Sequence, residues 1–463
     1  MRQTRLVERA GVAAGAIRRI PQARLEGGVG SLSGLLVGIA GLAGHLSVGD
    51  RLDLVARDSA SVPAEIVGFR DGFAQAMAFG ALDGLGPGSP ARSAVRLLGT
   101  RYGATLTVSE DWLGRVLDPL GRPLDGRGVL SAGPPRAVRT PAPSAAARGR
   151  LGARLDLGVR ALDTFAACRT GQRLGLFSGS GIGKSTLLGM LARGAKCDVA
   201  VLALVGERGR EVREFIEDEL AGGLARAVVV VATSDAPPLM RREAAYAAMT
   251  VAEYFRDQGK SVLLLMDSVT RFCLALREIG LSAGEPPATR GFPPSVFAEL
   301  PKLLERAGPG LDGGGAITGL FTVLVEGDDL NEPVADAVRG ILDGHVILER
   351  RIAEAGRYPA VDVLRSLSRT AYQVLSADQM ALTRRVRAIL TLHADMADLI
   401  RLGAYRPGAD PAVDEAVILV PRIEAVLRQG REEASTAEAA FARLAEAMDR
   451  PATASLAGGS HAA

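Results

Sequence analysis

Residues 174–188, Leu-Gly-Leu-Phe-Ser-Gly-Ser-Gly-Ile-Gly-Lys-Ser-Thr-Leu-Leu, constrain this chain more than any other stretch. The apolar Leu174, Leu176 and Phe177 give way to Ser178, Gly179, Ser180, Gly181 and Ile182, then to Gly183, Lys184, Ser185 and Thr186, and apolar residues resume. That order reads strand, loop, helix. Glycines let several backbone N–H groups converge on one point, and the dipole of the following helix adds positive potential, so phosphate binds there. In such a cradle Lys184 reaches the β- and γ-phosphates of a nucleoside triphosphate and the Ser185 hydroxyl ligates Mg²⁺. A glycine-rich turn with an incidental lysine lacks the strand before and the helix after. Ser178 departs from the strict pattern, which has glycine there.

A chain of 463 residues has room for several domains and ample core. Lys and Arg number 55 against 52 Asp and Glu, so the formal charge of +3 gives no general electrostatic attraction to nucleic acid. Cys168, Cys197 and Cys273 show no metal spacing and read as core residues of a reduced protein. No apolar run approaches the ~20 residues that span a bilayer, and the N-terminus lacks the apolar centre of a signal peptide, so a cytoplasmic location with at most peripheral docking is expected.

Residues 1–24 carry Arg2, Arg5, Arg9, Arg18, Arg19 and Arg24 against Glu8, with apolar residues at roughly helical spacing. They read either as a frayed basic arm or as a docking helix for a partner or acidic lipid headgroups. From 27 to 99, apolar runs at 35–39, 52–56, 64–69, 74–79 and 94–98 alternate with glycine-rich turns, which predicts a small antiparallel barrel. His45 lies isolated in a loop of that region. Residues 114–126 form a turn-dense connector, and Pro134, Pro135, Pro141 and Pro143 mark a stiff linker. From 155 onward strand-like and helical stretches alternate, as a parallel sheet with crossover helices requires; the expected strands are 173–177, 199–205, 227–232, 261–266, 316–324 and 345–348. After about 370 the pattern is helical over 382–402 and 415–427, with Pro421 expected to divide the second stretch and the tail from Pro451 expected to be disordered. The domains expected are an arm (1–24), a barrel (25–99), a nucleotide domain (100–373, with linker 100–154), a helical domain (374–450) and a tail (451–463).

Hydrolysis needs an acid to organise Mg²⁺, a base for the attacking water and a positive charge for the transition state. Asp267 ends a buried strand, where the metal-organising carboxylate belongs; capping of the next helix is the alternative. Glu207 follows another buried strand and would emerge on the same rim as Lys184, placed to polarise water; a surface carboxylate is the alternative. Glu211, Glu214 and Glu217 read as the solvated face of a charged helix.

Three further stretches carry a resemblance: Gly-Glu-Arg-Gly-Arg-Glu-Val at 206–212, Gly-Glu-Pro-Pro-Ala-Thr-Arg-Gly-Phe-Pro-Pro-Ser-Val-Phe at 284–297, and Arg-Tyr-Pro-Ala-Val-Asp at 357–362. With the phosphate loop, they resemble the ATPases of the flagellar type III export apparatus, themselves similar to the catalytic subunits of F-type rotary ATPases. The resemblance runs from about residue 27 to 448. It implies an α/β fold: a RecA-like P-loop ATPase core with a small N-terminal β-barrel and a C-terminal helical domain. It implies ATP and Mg²⁺, with Gly179, Ser180, Gly181, Ile182, Gly183, Lys184, Ser185, Thr186 and Arg208 around the nucleotide. It also implies Glu207 as catalytic base, Ser185 and Asp267 at the metal, Arg369 as an arginine finger and Tyr358 stacking on adenine. By themselves, Arg369 reads as a surface arginine and Tyr358 as a half-buried aromatic. Ser178, Glu349 and Arg357 depart from the family, which usually has alanine or glycine, a small polar residue, and histidine at these places. The implied partners are a stator-like negative regulator on the basic arm, a central-stalk-like export protein, the membrane-embedded export gate, cargo–chaperone complexes and acidic phospholipid, with peripheral attachment to the inner membrane at the flagellar base.

In rotary ATPases the base and the finger sit on different subunits; this chain carries both Glu207 and Arg369, which predicts a homohexamer in which each protomer completes its neighbour's site. The injectisome ATPases share fold and chemistry and remain the nearest alternative. A Rho-like nucleic-acid motor would need a basic, aromatic surface in its N-terminal domain, where 27–99 offers only Phe69, Phe73 and Phe79; no nucleic-acid partner is expected. A non-catalytic regulatory subunit would lack Glu207.

Overall fold

The structure is a computed structural model that describes residues 23–95, 104–325 and 329–449. Most of the basic arm (1–22), residues 96–98 of an expected barrel strand and the tail (451–463) lie outside the described residues.

Six strands close a barrel: β1 (Ala23–Ser33), β2 (Leu36–Ala40), β3 (Arg51–Val55), β4 (Ser61–Arg70), β5 (Phe73–Ala78) and β6 (Pro90–Val95), in the order β1-β2-β5-β4-β3-β6. Alternation builds its interior. Leu52 and Leu54 are buried with Asp53 exposed between them, and Val37, Ile39, Ile66, Ala74 and Ala76 complete the core. Two expectations change. β1 begins inside the segment assigned to the arm, and the strand expected at 94–98 is Pro90–Val95. Closure needs one strand to pair with both β1 and β3, and β6 does so; Ala91 and Ser93, its buried residues among those whose side chains are described, are small and give little apolar signal.

Beyond the barrel, β7 (Thr105–Leu106) pairs with β9 (Arg136–Ala137). Between them β8 (Arg115–Leu117), expected to be connector, is the outer parallel strand of the large sheet. β10 (Arg154–Leu155) and β11 (Cys168–Arg169) flank α1 (Arg160–Phe165). Strands and helices then alternate: β12 (Arg173–Ser178), α2 (Lys184–Gly194), β13 (Val199–Glu207), α3 (Gly209–Glu214), β14 (Ala227–Thr233), α4 (Pro238–Arg256), β15 (Ser261–Asp267), α5 (Val269–Ser282), α6 (Pro294–Leu304), β16 (Gly308–Pro309), β17 (Ala316–Leu324), α7 (Pro333–Ile341), β18 (Gly344–Leu348), α8 (Arg350–Glu354) and β19 (Val361–Ser368). The main sheet runs β19-β18-β12-β17-β15-β13-β14-β8, with β19 antiparallel to β18 and its other neighbours parallel. Helices cover both faces of the central strands, so their residues are buried whichever way they point. Val199, Val201, Ala203 and Val205 join one core, and Ala200, Leu202 and Leu204 the other.

β12, β13 and β15 run past their expected ends to finish in Ser178, Glu207 and Asp267, so their polar residues sit at one rim. The helical domain is α9 (Ala377–Arg401), α10 (Pro411–Leu427) and α11 (Ala437–Asp449). Pro421 does not divide α10: it lies on the exposed face of a helix that continues to Leu427. Arg387 of α9 donates to the carbonyls of Phe165, Leu364 and Ser366, tying these helices to β19. The barrel is held to the core by buried charges. Glu65 of β4 accepts from Arg242 of α4 at 2.6 Å and from Arg139 at 3.2 Å, while Glu243 pairs with Arg51 of β3.

Candidate active site

α2 opens at Lys184 behind Gly183, which is in left-handed backbone (φ 86°), and no side chain caps it. Its first-turn N–H groups therefore lack the usual side-chain acceptor and form a ready anion site behind the glycine loop. Gly181 is left-handed as well (φ 74°), a conformation glycine adopts without steric cost.

The Lys184 ammonium lies between two carboxylates, 3.3 Å from Glu207 Oε1 and hydrogen-bonded to Asp267 Oδ1. Burial pushes Lys184 towards its neutral form, but Asp267 and Glu207 outweigh it and raise its pKa. Glu207 is also raised: burial is the main cause, Lys184 opposes it, and Asp267 adds to it. Thr322 of β17 donates to Asp267 Oδ1 at 2.7 Å and orients it. The capping alternative for Asp267 falls to its neighbour, because Ser268 accepts the Arg271 N–H and caps α5. With β17 lying between β12 and β15, and β13 beyond, the loop lysine and the two strand-end acids share one rim of the sheet. Ser185 is exposed on the first turn of α2. Its hydroxyl and the Asp267 carboxylate are the hard oxygen donors that suit Mg²⁺, which takes few protein ligands and completes its shell with water and phosphate.

One residue at this rim was not singled out from the sequence. The stem of Arg271 packs on Gly206, where a Cβ would come within 3.0 Å of it, and its Nε is buried without a hydrogen-bond partner among the described residues. An unspent donor one helical turn after Asp267 is the signal, visible only once Gly206 is seen against it. Arg208 is not brought to Lys184: it is exposed, 3.4 Å from Glu211. Glu211 is less detached than expected, since its carboxyl lies close enough to that of Glu207 to help raise it.

Residues 158–368 match the model of the ATP synthase alpha/beta family nucleotide-binding domain, and 375–446 that of the T3SS EscN ATPase C-terminal domain. The chain is 51% identical to the flagellum-specific ATP synthase of Caulobacter vibrioides over 94% of this chain and 98% of that protein. The chain belongs to the flagellum-specific and type III secretion ATPase family. It is 45% identical to the type 3 secretion system ATPase of Xanthomonas euvesicatoria, over 92% of this chain and 95% of that one. Among solved structures it resembles the assembled ATPase EscN of the enteropathogenic E. coli type III secretion system (TM-score 0.82, 38% identity, covering 91% of this chain and 100% of that one). It also resembles EscN in complex with its central stalk EscO (TM-score 0.81, 37% identity, covering 91% and 100%).

Within that family frame, Tyr358 and Arg369 part company. Tyr358 is half exposed and packs over the phosphate loop, its ring 3.3 Å from where a Cβ on Gly183 would stand, and its carbonyl accepts from the Gln429 N–H. Arg369 emerges at the opposite end of the sheet. Leu348 pairs with Ser178 at the phosphate-loop end of β18, whereas Ser368 pairs with Gly344 at the other end, four residues or ~13 Å away. Its guanidinium is exposed, 3.5 Å from the Arg339 carbonyl.

Two departures from the family have local partners. Glu349 pairs with Arg365 at 2.8 Å, and Arg357 is buried, donating to the Val361 carbonyl and pairing with Glu424 of α10 at 2.6 Å. Nothing in the structure explains Ser178, whose hydroxyl is buried without a partner among the described residues.

Proposed function

We propose that this chain hydrolyses ATP as one subunit of a homohexameric ring that assists flagellar type III protein export. The observation that carries the reading is the convergence of Lys184, Glu207 and Asp267 on one rim while Arg369 stands on the other. ATP phosphates occupy the uncapped start of α2, and Lys184 exchanges its carboxylate partners for phosphate oxygens. Glu207, released from Lys184, orients a water and takes its proton as oxygen attacks the γ-phosphorus and the bond to the β-phosphate oxygen breaks. Ser185 and Asp267 would hold Mg²⁺, which would supply charge neutralisation during phosphoryl transfer. Tyr358 stacks on adenine, and Arg369 reaches the site of a neighbouring protomer.

The flagellar assignment is favoured over the injectisome by the higher identity to the Caulobacter protein, 51% against 45%. The protein works in the cytoplasm, docked peripherally at the inner membrane. Its partners are a regulator on the basic arm, a central-stalk protein, the export gate, cargo–chaperone complexes and acidic lipid. The deciding experiment is Glu207→Gln. Turnover falls by roughly 10²–10⁴ while ATP still binds, and wild-type specific activity rises with protein concentration, more so with anionic vesicles. Wild-type turnover in Glu207→Gln overturns the reading.

A further inference from the structure

We propose that Glu219 is a positioning residue, tying the first turn of α2 to the segment that begins at Glu207. The inference rests on the hydrolytic reading above and adds a residue to it. After Glu207 the chain forms α3, then a single π-helical turn, Phe215–Glu219, closed by the Leu220 N–H on the Phe215 carbonyl at 2.8 Å. Single π-turns are rare in helices and occur frequently at functional sites. Here Val212, Phe215 and Leu220 are buried in one cluster with Ile182 of the phosphate loop and Leu187 and Leu188 of α2, so the segment is clamped to α2 by apolar contact. The two backbones meet closely: a Cβ on Gly189 of α2 would stand 2.8 Å from the Glu219 carbonyl and 2.9 Å from its Cβ.

At this contact Thr186, two residues after Lys184, donates its hydroxyl to Glu219 Oε1 at 2.9 Å. The other carboxylate oxygen, Oε2, is buried with no hydrogen-bond partner among the described residues. A partly buried carboxylate with one oxygen shut off from water and unpaired is a poor choice for stability alone, since an unpaired acceptor forfeits its hydration. Its one protein bond goes to the helix turn that receives phosphate. The Thr186 side chain is thereby turned to the protein, leaving its backbone N–H for the nucleotide. Glu207 and Glu219 thus bound one short lever whose far end is fixed to the phosphate loop. Movement of α2 as Lys184 leaves Asp267 and Glu207 for phosphate is then passed to the base.

The test compares full-length wild type, Glu219→Ala, Glu219→Gln, Thr186→Val, the double variant Glu219→Ala/Thr186→Val, and Glu207→Gln as a reference. The readouts are kcat, KM and binding of a fluorescent ATP analogue. Expected is a fall in kcat of about five- to tenfold in both Glu219→Ala and Thr186→Val, the scale of one lost hydrogen bond. Analogue affinity stays within about twofold, and the double variant is no slower than the slower single one. Glu219→Gln, whose amide still pairs with the hydroxyl, keeps more than half of wild-type kcat. Should Glu219→Ala misfold, Thr186→Val against Glu219→Gln carries the same comparison. Unchanged kcat in Thr186→Val, multiplicative losses in the double variant, or Glu219→Gln as slow as Glu219→Ala overturns the proposal. If Glu207→Gln turns over like wild type, the hydrolytic reading itself has failed.

Discussion

If Arg369 serves a neighbouring site, two dead variants should revive each other. Glu207→Gln removes the base and is expected to cost 10²–10⁴ in turnover, and Arg369→Ala removes the finger at about 10³–10⁵. In the folded chain Glu207 ends β13 at the phosphate-loop rim of the sheet, whereas Arg369 follows Ser368 at the opposite rim, ~13 Å down β18 from the phosphate-loop end, so a protomer does not bring its own finger to its own base. A site at an interface needs Glu207 from one protomer and Arg369 from the next. When the two variants assemble at random in equal amounts, about one half times one half, or about a quarter, of the interfaces carry both native residues. Each variant alone sits at or below about 1% of wild type, and the mixture should rise to about 25% if sites turn over independently. The assay is steady-state ATP hydrolysis after co-refolding or mixing below the assembly concentration, with mixed rings verified by native mass spectrometry on one mass-tagged variant. Mixed rings that stay at the level of the single variants refute shared sites of this kind. An Arg369→Ala protein active by itself refutes the role of the arginine.

Further predictions concern the scaffold. Arg306 is fully buried, bidentate to Glu253 at 2.9 and 2.6 Å and bonded to the Val138 carbonyl at 2.7 Å. Arg306→Ala leaves the buried Glu253, among the described residues, with only the distant Arg256 (4.0 Å) and the Thr140 hydroxyl (3.4 Å) and should destabilise by about 3 kcal/mol, read by denaturant unfolding, whereas Arg306→Met with Glu253→Leu should recover much of that loss. Burial pushes the Asp163 carboxyl up to about 7, against the donation of the Leu157 and Gly158 N–H groups to it. A folded-state pKa above the unfolded one means its stabilising contribution is complete below about pH 4 and is lost as pH rises through about 7. Unfolding free energy should therefore carry a falling component between these values that Asp163→Asn removes. Gly206 is left-handed (φ 74°) and a Cβ there would stand 3.0 Å from the Arg271 stem, so Gly206→Ala should lower turnover at least tenfold while the fold, followed by circular dichroism, persists.

Much of the site was legible because its signals are local. A glycine loop between strand and helix, and acids at the ends of apolar runs, mark the carboxyl edge of a parallel sheet whatever else the chain does, and Lys184, Glu207 and Asp267 do meet there. Strand ends ran one or two residues long because apolar periodicity stops at the first polar residue while backbone pairing continues. β6 and β8 depart from the expected strands for a related cause: small or short strands are held by their partners rather than by their own composition.

By itself, then, the sequence determined a phosphate cradle, a parallel α/β core and the pair of acids, since each depends on residue type at short spacing. Only the tertiary structure decided which end of the sheet each group occupies. The reversal of β19 against β18 sends Arg369 away from the rim that its linear proximity to Tyr358 would suggest. Packing of the π-turn on α2 joins Thr186 to Glu219 across 33 positions of chain. Pairings of that kind come from the register of distant elements, and no local periodicity encodes them.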